Sequence, residues 1–151
     1  MMRAEVRPMF RKILVPVDFT EKNQAALHAA LEVIGRHDEA EVYLLHVIET
    51  IEHVDDEEMK DFYRELENRA VAKLSRLEEQ CRAVVPAGVR VFHDLHIGRR
   101  AESVIRFAEE REMDLIVLSS HKVDRDHPAL GWGTLSYRIA IVARCPVLLV
   151  K

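Results

Sequence analysis

"KILVPVDFT", residues 12–20, places Ile13, Leu14, Val15, Pro16 and Val17 in an unbroken apolar run before the first polar residue, Asp18. A strand with one solvated face alternates apolar and polar side chains. A continuous run therefore predicts a strand covered on both faces, as in a parallel sheet. Asp18 and Thr20 suit the turn that follows, and Thr20 is the expected N-cap of the next helix. That helix should carry Ala26, Leu27, Ala30, Leu31 and Ile34 on one face and stop at Gly35.

The same order of strand and helix continues along the chain. "EVYLLHVIE", 41–49, reads as a second buried strand. Residues from about Glu57 to Val84 read as a long helix with Phe62, Leu66, Ala70, Leu74 and Leu77 along one stripe. Pro86-Ala87-Gly88 breaks it. "VRVFHDLHI", 89–97, alternates in the manner of a strand near a sheet edge, and Glu102 to Arg111 reads as a helix with Val104, Ile105 and Ala108 inward. "DLIVLSS", 114–120, is a fourth strand, Leu135 to Ala143 a last helix and "PVLLVK", 146–151, a fifth strand. This order predicts an α/β doubly wound five-stranded parallel sheet with helices on both faces. The whole of 1–151 reads as one domain, with residues 1–10 as an N-terminal extension. Ligands of such sheets sit outside the C-terminal strand ends where the strand order reverses. With strands one and four as neighbours, "VPVDFT" and the loop after Leu118 line one crevice.

At 151 residues the chain can bury roughly 70% of its unfolded surface. A net charge of −4 argues against a nucleic-acid partner, and the pairs Arg11-Lys12 and Arg99-Arg100 read as solvated element ends. No apolar run approaches the ~20 residues of a membrane span, and "MMRAEVRPMF" lacks the apolar core of a signal peptide. The expected location is cytoplasmic, without a membrane partner. Cys81 and Cys145 have no metal-ligand spacing and are expected to be reduced, buried thiols.

"ILVPVD" opening the chain, "LLHV" ending the second strand, "DLIVLSSH" as the fourth and "CPVLLVK" as the last together resemble the universal stress protein family. The resemblance covers residues 11 to 151 without large insertions. It implies a flavodoxin-like sheet, a homodimer formed through the last strand, Pro146 to Lys151, and, in many members, ATP in the crevice. Members that bind ATP carry glycine, two residues, glycine, nine residues, then glycine with serine or threonine. Laid on this chain, Ser119 and Lys122 stand at the first two glycine positions, and Gly133-Thr134 forms the closing pair after ten residues. The resemblance places further nucleotide contacts at Pro16, Val17, Asp18 and Val47. Gly133, Thr134, Leu135 and Ser136 still offer the first turn of a helix, where backbone N–H groups attract anions. Thr134 as a plain helix cap is the competing reading.

Side chains at glycine positions fill the space a phosphate needs, while Lys122 could offset this with charge. Asp124 and Asp126 add repelling carboxylates to the same loop. Asp18 has two readings, a contact to the nucleoside or a cation, and an acceptor for its own turn. "HIGR", 96–99, is similar to the HIGH signature of adenylyl-transferring enzymes, but it follows the third strand, so Gly98 reads as the turn into the next helix. His93 and His96 should face opposite sides of their strand, and His46 reads as a hydrogen-bonded core histidine. His121 and His127 flank the acidic loop, where a weak cation site competes with a solvated loop. Trp132 lies between two glycines, where covering a ligand or wedging into a dimer partner competes with the favoured reading, packing on its own sheet edge. Gly-x-Ser-x-Gly is absent, and no catalytic constellation stands out. Two functions follow. The first is a non-catalytic homodimeric stress-response module with a degenerate nucleotide loop, an unknown protein partner and no required cofactor. The alternative is an ATP-binding switch with slow hydrolysis.

Overall fold

The computed structural model describes residues 10–35, 39–50, 57–120, 122, 124–131 and 134–151. Most of the N-terminal extension, and His121, Trp132 and Gly133, lie outside the described residues. The elements are β1 (Lys12–Pro16), α1 (Lys22–Ile34), β2 (Ala40–Glu49), α2 (Glu57–Arg82), β3 (Val89–Gly98), α3 (Arg100–Glu110), β4 (Leu115–Ser119), α4 (Leu135–Val142) and β5 (Val147–Val150), with a single 3₁₀ turn at Pro128–Gly131. All strand pairs are parallel, in the order β3-β2-β1-β4-β5. This is the doubly wound five-stranded sheet that the sequence predicts.

Alternate residues of β1 feed two separate cores. Ile13, Val15 and Val17 pack on one face with Ala26, Leu27, Ala30 and Ile34 of α1 and Leu74 of α2. Leu14 points to the other face with Leu45, Ile116, Val104, Phe107 and Ile139, under α3 and α4. Ile13, Leu14 and Val15 have no exposed surface, which is why the run has no polar residue to alternate with.

The reversal of strand order lies between β1 and β4, and Pro16 helps to end their pairing. Alternation directs Lys12, Leu14 and Pro16 toward β4: the Lys12 carbonyl accepts from Asp114 N–H at 2.8 Å, whereas Val17 N–H donates to Leu45 of β2 at 2.8 Å. Proline has no N–H to donate. Pairing of β1 with β4 stops at Leu14 and Ile116, while pairing with β2 runs on to Pro16 and Leu45. The sheet therefore splits where a ligand site is expected.

Several local expectations are corrected. Thr20 is not the cap of α1: Glu21 occupies that position, and Thr20 Oγ1 donates to Asp18 Oδ1 at 2.7 Å. Helix α3 starts two residues earlier, and Phe107 is buried beside Val104 and Ala108 while Ile105 is only half-buried. Cys81 is buried, but Cys145 is only partly so.

The end of α3 carries the paired bonds of a Schellman motif, with Glu112 N–H to Glu109 O at 3.2 Å and Met113 N–H to Ala108 O at 2.9 Å. The residue between helix and strand, Glu112, has φ +52°, a left-handed conformation in which a side chain is unfavourable. Glu112→Gly is expected to raise stability by about 1 kcal/mol, read as a higher urea midpoint at unchanged slope. An unchanged or lower midpoint would count against this.

Candidate functional site

Where β1 and β4 part, a cleft of about 210 Å³ opens at the C-terminal strand ends. Leu45, Val47, Val104, Leu118 and Leu135 form its apolar walls. Asp18, Asn23, His46, Arg100, Thr134 and Ser136 supply polar groups. Of the residues singled out in the sequence, Pro16, Val17, Asp18, Val47, Ser119, Thr134 and Leu135 all line this cleft. Lys122 is exposed and is not among its walls. Gly133 lies outside the described residues.

The chain leaving β1 is held by Asp18. Its Oδ1 accepts from Thr20 N–H at 2.9 Å and from the Thr20 hydroxyl, while Asp18 N–H donates to Asn23 Oδ1 at 2.9 Å. Burial opposes ionisation of Asp18, but hydrogen bonds from Thr20 and Asn23 outweigh it and hold the carboxyl below the usual range. The tight turn carries a strained residue: Phe19 has φ +64°, rare for an aromatic residue. Its ring stacks on His46 with centroids 4.4 Å apart, and Lys73 Nζ lies 5.3 Å from it.

His46 links this turn to the cleft. Its Nδ1 lies 2.7 Å from the Val17 carbonyl, which can only accept, so in the neutral ring Nδ1 carries the hydrogen. Burial pushes its pKa down, against the pull of that hydrogen bond. His93 and His96 do face opposite ways, His93 to Glu78 of α2 at 2.6 Å and His96 against Phe107 of α3.

At the β4 end of the cleft, side chains stand where the family resemblance expects glycine. Ser119 Oγ donates to the Lys22 carbonyl at the start of α1 at 2.8 Å. Asp124 accepts from Asp126 N–H at 2.9 Å and contacts His127 at 3.1 Å, which turns this part of the loop onto itself. Thr134 caps α4 without a side-chain cap bond, and its Oγ1 lies 3.4 Å from the buried Ser136 hydroxyl. Among the described residues no group of three or more His, Cys, Asp or Glu is placed to hold a metal, and no helix is long and apolar enough to cross a membrane.

Sequence reasoning missed three polar walls, Asn23, Arg100 and His46, the last of which it read as a core histidine although it is only partly buried and lines the cleft. Asn23 gave a signal, since an amide on the buried side of a first helical turn needs a partner. Arg100 was masked by its neighbour Arg99, and the pair reads as solvent-exposed.

Residues 9–151 match the model of the Universal stress protein family. The chain belongs to this family. Among its relatives, Universal stress protein MJ0531 of Methanocaldococcus jannaschii is 27% identical over 150 residues, 95% of this chain and 83% of the relative. The solved structure of protein MJ0577, a universal stress protein of the same organism, superposes with a TM-score of 0.71 at 26% identity, covering 95% and 96% of the two chains. A universal stress protein of Archaeoglobus fulgidus, solved in complex with dAMP, has a TM-score of 0.64 over 95% and 99% of the chains. At 19% identity it shares the fold alone.

The partly buried imidazole of this universal stress protein should leave a pH signature. Between the ordinary histidine value, about 6.5, and the lowered folded value, the unfolded state binds more protons, so stability falls as pH drops through that window. His46→Gln keeps a donor for Val17 and removes the titration. Urea melts between about pH 7.5 and pH 5 are expected to show wild type losing stability relative to the variant on acidification. A pH-independent difference would refute this.

Proposed function

We propose that this universal stress protein is a non-catalytic, homodimeric stress-response module, one domain over its length, whose crevice receives the nucleoside end of an adenine nucleotide. The observation that carries the reading is the division of the site. The residues that the family resemblance assigns to the nucleoside, Pro16, Val17, Asp18 and Val47, share one cleft, while Ser119 stands at a glycine position with its hydroxyl engaged and Lys122 lies off the walls. A cleft of about 210 Å³ is below the 300–1,000 Å³ of sites that enclose larger ligands. It suits a nucleoside better than a whole triphosphate.

The non-catalytic reading is supported by how the polar groups are used: the Asp18 carboxylate is taken up by the backbone and hydroxyl of Thr20 in its own turn, and His46 Nδ1 by the Val17 carbonyl. The output is then an interaction with a protein partner, and the dAMP complex of the Archaeoglobus protein is a precedent for a small nucleotide in this fold. The Thr134 and Ser136 hydroxyls at the start of α4 favour the second reading, an ATP-binding switch.

The homodimer reading is supported by the β5 edge. β5 ends the sheet, and Leu148 on it and Tyr137, Ile141 and Val142 on α4 are exposed, Ile141 by 62%. A short apolar edge strand can pair with its own copy across a two-fold axis.

Ligand analysis and light scattering test this. Acid extraction of the purified protein, with phosphate release from added ATP, is expected to yield adenine nucleotide or nucleoside and background turnover. Protein without adenine that also shows no thermal shift with adenosine would remove the ligand, and steady ATP hydrolysis would favour the switch. Light scattering after size exclusion should give a dimer at micromolar concentration, and Ile141→Asp should give a folded monomer. A wild-type monomer would exclude the dimer.

A further inference from the structure

A second cleft, of about 570 Å³, lies against the first, with Arg100 and Leu135 in the walls of both. It runs between the first turns of α3 and α4 and brings together Arg99, Arg100 and Arg138, with the carboxylates of Glu49 and Glu102. Arg100 Nε is 3.4 Å from Glu49 and Arg99 Nη1 is 3.4 Å from Glu102. Both pairs are about half exposed or more, so solvent screens them and an incoming anion can replace the carboxylates. Arg138 has no carboxylate partner among the described residues. Among the described residues, the walls of this cleft thus carry three arginines and two carboxylates. Helices α3 and α4 also begin here without side-chain caps, which adds the positive ends of two helices to the same field.

We propose that this arginine-lined cleft is the phosphate subsite, so that the phosphate of a bound adenine nucleotide turns past Arg100 toward Arg138. The inference rests on the nucleotide reading above and supplies what that reading lacks. On the other side of the crevice, Ser119 fills a glycine position, and Asp124 and Asp126 on the exposed loop repel a phosphate. On this side, guanidinium groups meet phosphate oxygens in a matched, two-pronged geometry. The site therefore takes a nucleotide by its nucleoside in the apolar cleft and by its anion between α3 and α4.

The test is calorimetric titration of the full chain with adenosine, adenosine monophosphate and inorganic pyrophosphate. Adenosine monophosphate is expected to bind at least ~10-fold more tightly than adenosine, with the difference shrinking as salt is raised. Arg138→Ala should reduce that ratio and Arg138→Glu should abolish it, with adenosine affinity unchanged and the circular dichroism of wild type. Equal affinities for the two ligands would overturn the subsite and leave the nucleoside cleft intact. So would a ratio that survives Arg138→Glu but is lost in Lys122→Ala. Binding of neither adenosine nor its monophosphate would remove the nucleotide reading itself. In that case pyrophosphate decides: binding that depends on Arg138 supports an anion site between α3 and α4, and no binding overturns it.

Discussion

Strand β1 is asked to do three things with five residues, and the rest of the molecule depends on it. It pairs with β2 along its whole length, it pairs with β4 over two residues only, and its side chains fill both cores. Pro16 separates these tasks. A residue with an N–H at that position would have a donor aimed at β4, and the missing donor lets the two halves of the sheet part. The crevice, the Asp18 turn and the position of α1 all follow from where that pairing stops.

The two ends of the crevice are built differently. At the β1 end, Asp18, Thr20 and Asn23 form a set of hydrogen bonds, and the tilted pair of His46 and Phe19 packs against it. A left-handed aromatic residue persists there because both neighbours in the chain are fixed by hydrogen bonds and the ring has a partner. At the β4 end, Ser119 bonds to the start of α1, and the positive groups gather between α3 and α4. A member of the universal stress protein family thus keeps a cleft at the strand-order reversal, with its positive groups placed between α3 and α4.

The fold was legible because burial on two faces leaves a direct trace: strands without alternation, helices with one stripe, and a long alternating strand, β3, at the sheet edge. Much of the candidate cleft was legible too: the strand order places Pro16, Val17 and Asp18 at its mouth, and the family resemblance adds Val47. What failed were choices between near-equal local options. Thr20 can cap a helix or bond to Asp18, and only the path of the turn decides. Ile105 and Phe107 both suit the inner side of α3, and the rotation of the helix decides in favour of Phe107. Arg100 was unreadable because an arginine beside another arginine has no sequence feature that separates a cleft wall from a solvated end.

The two borders of the sheet differ in kind. β3, ten residues long, carries Arg90, His93, Asp94 and His96, whereas β5 is four residues long and wholly apolar. Charges along an open margin discourage further strands from joining, and an uncharged margin invites one. A sheet bordered in this way can be extended at one side and not at the other. Self-association through β5 would stop at a pair and would not propagate into a fibre.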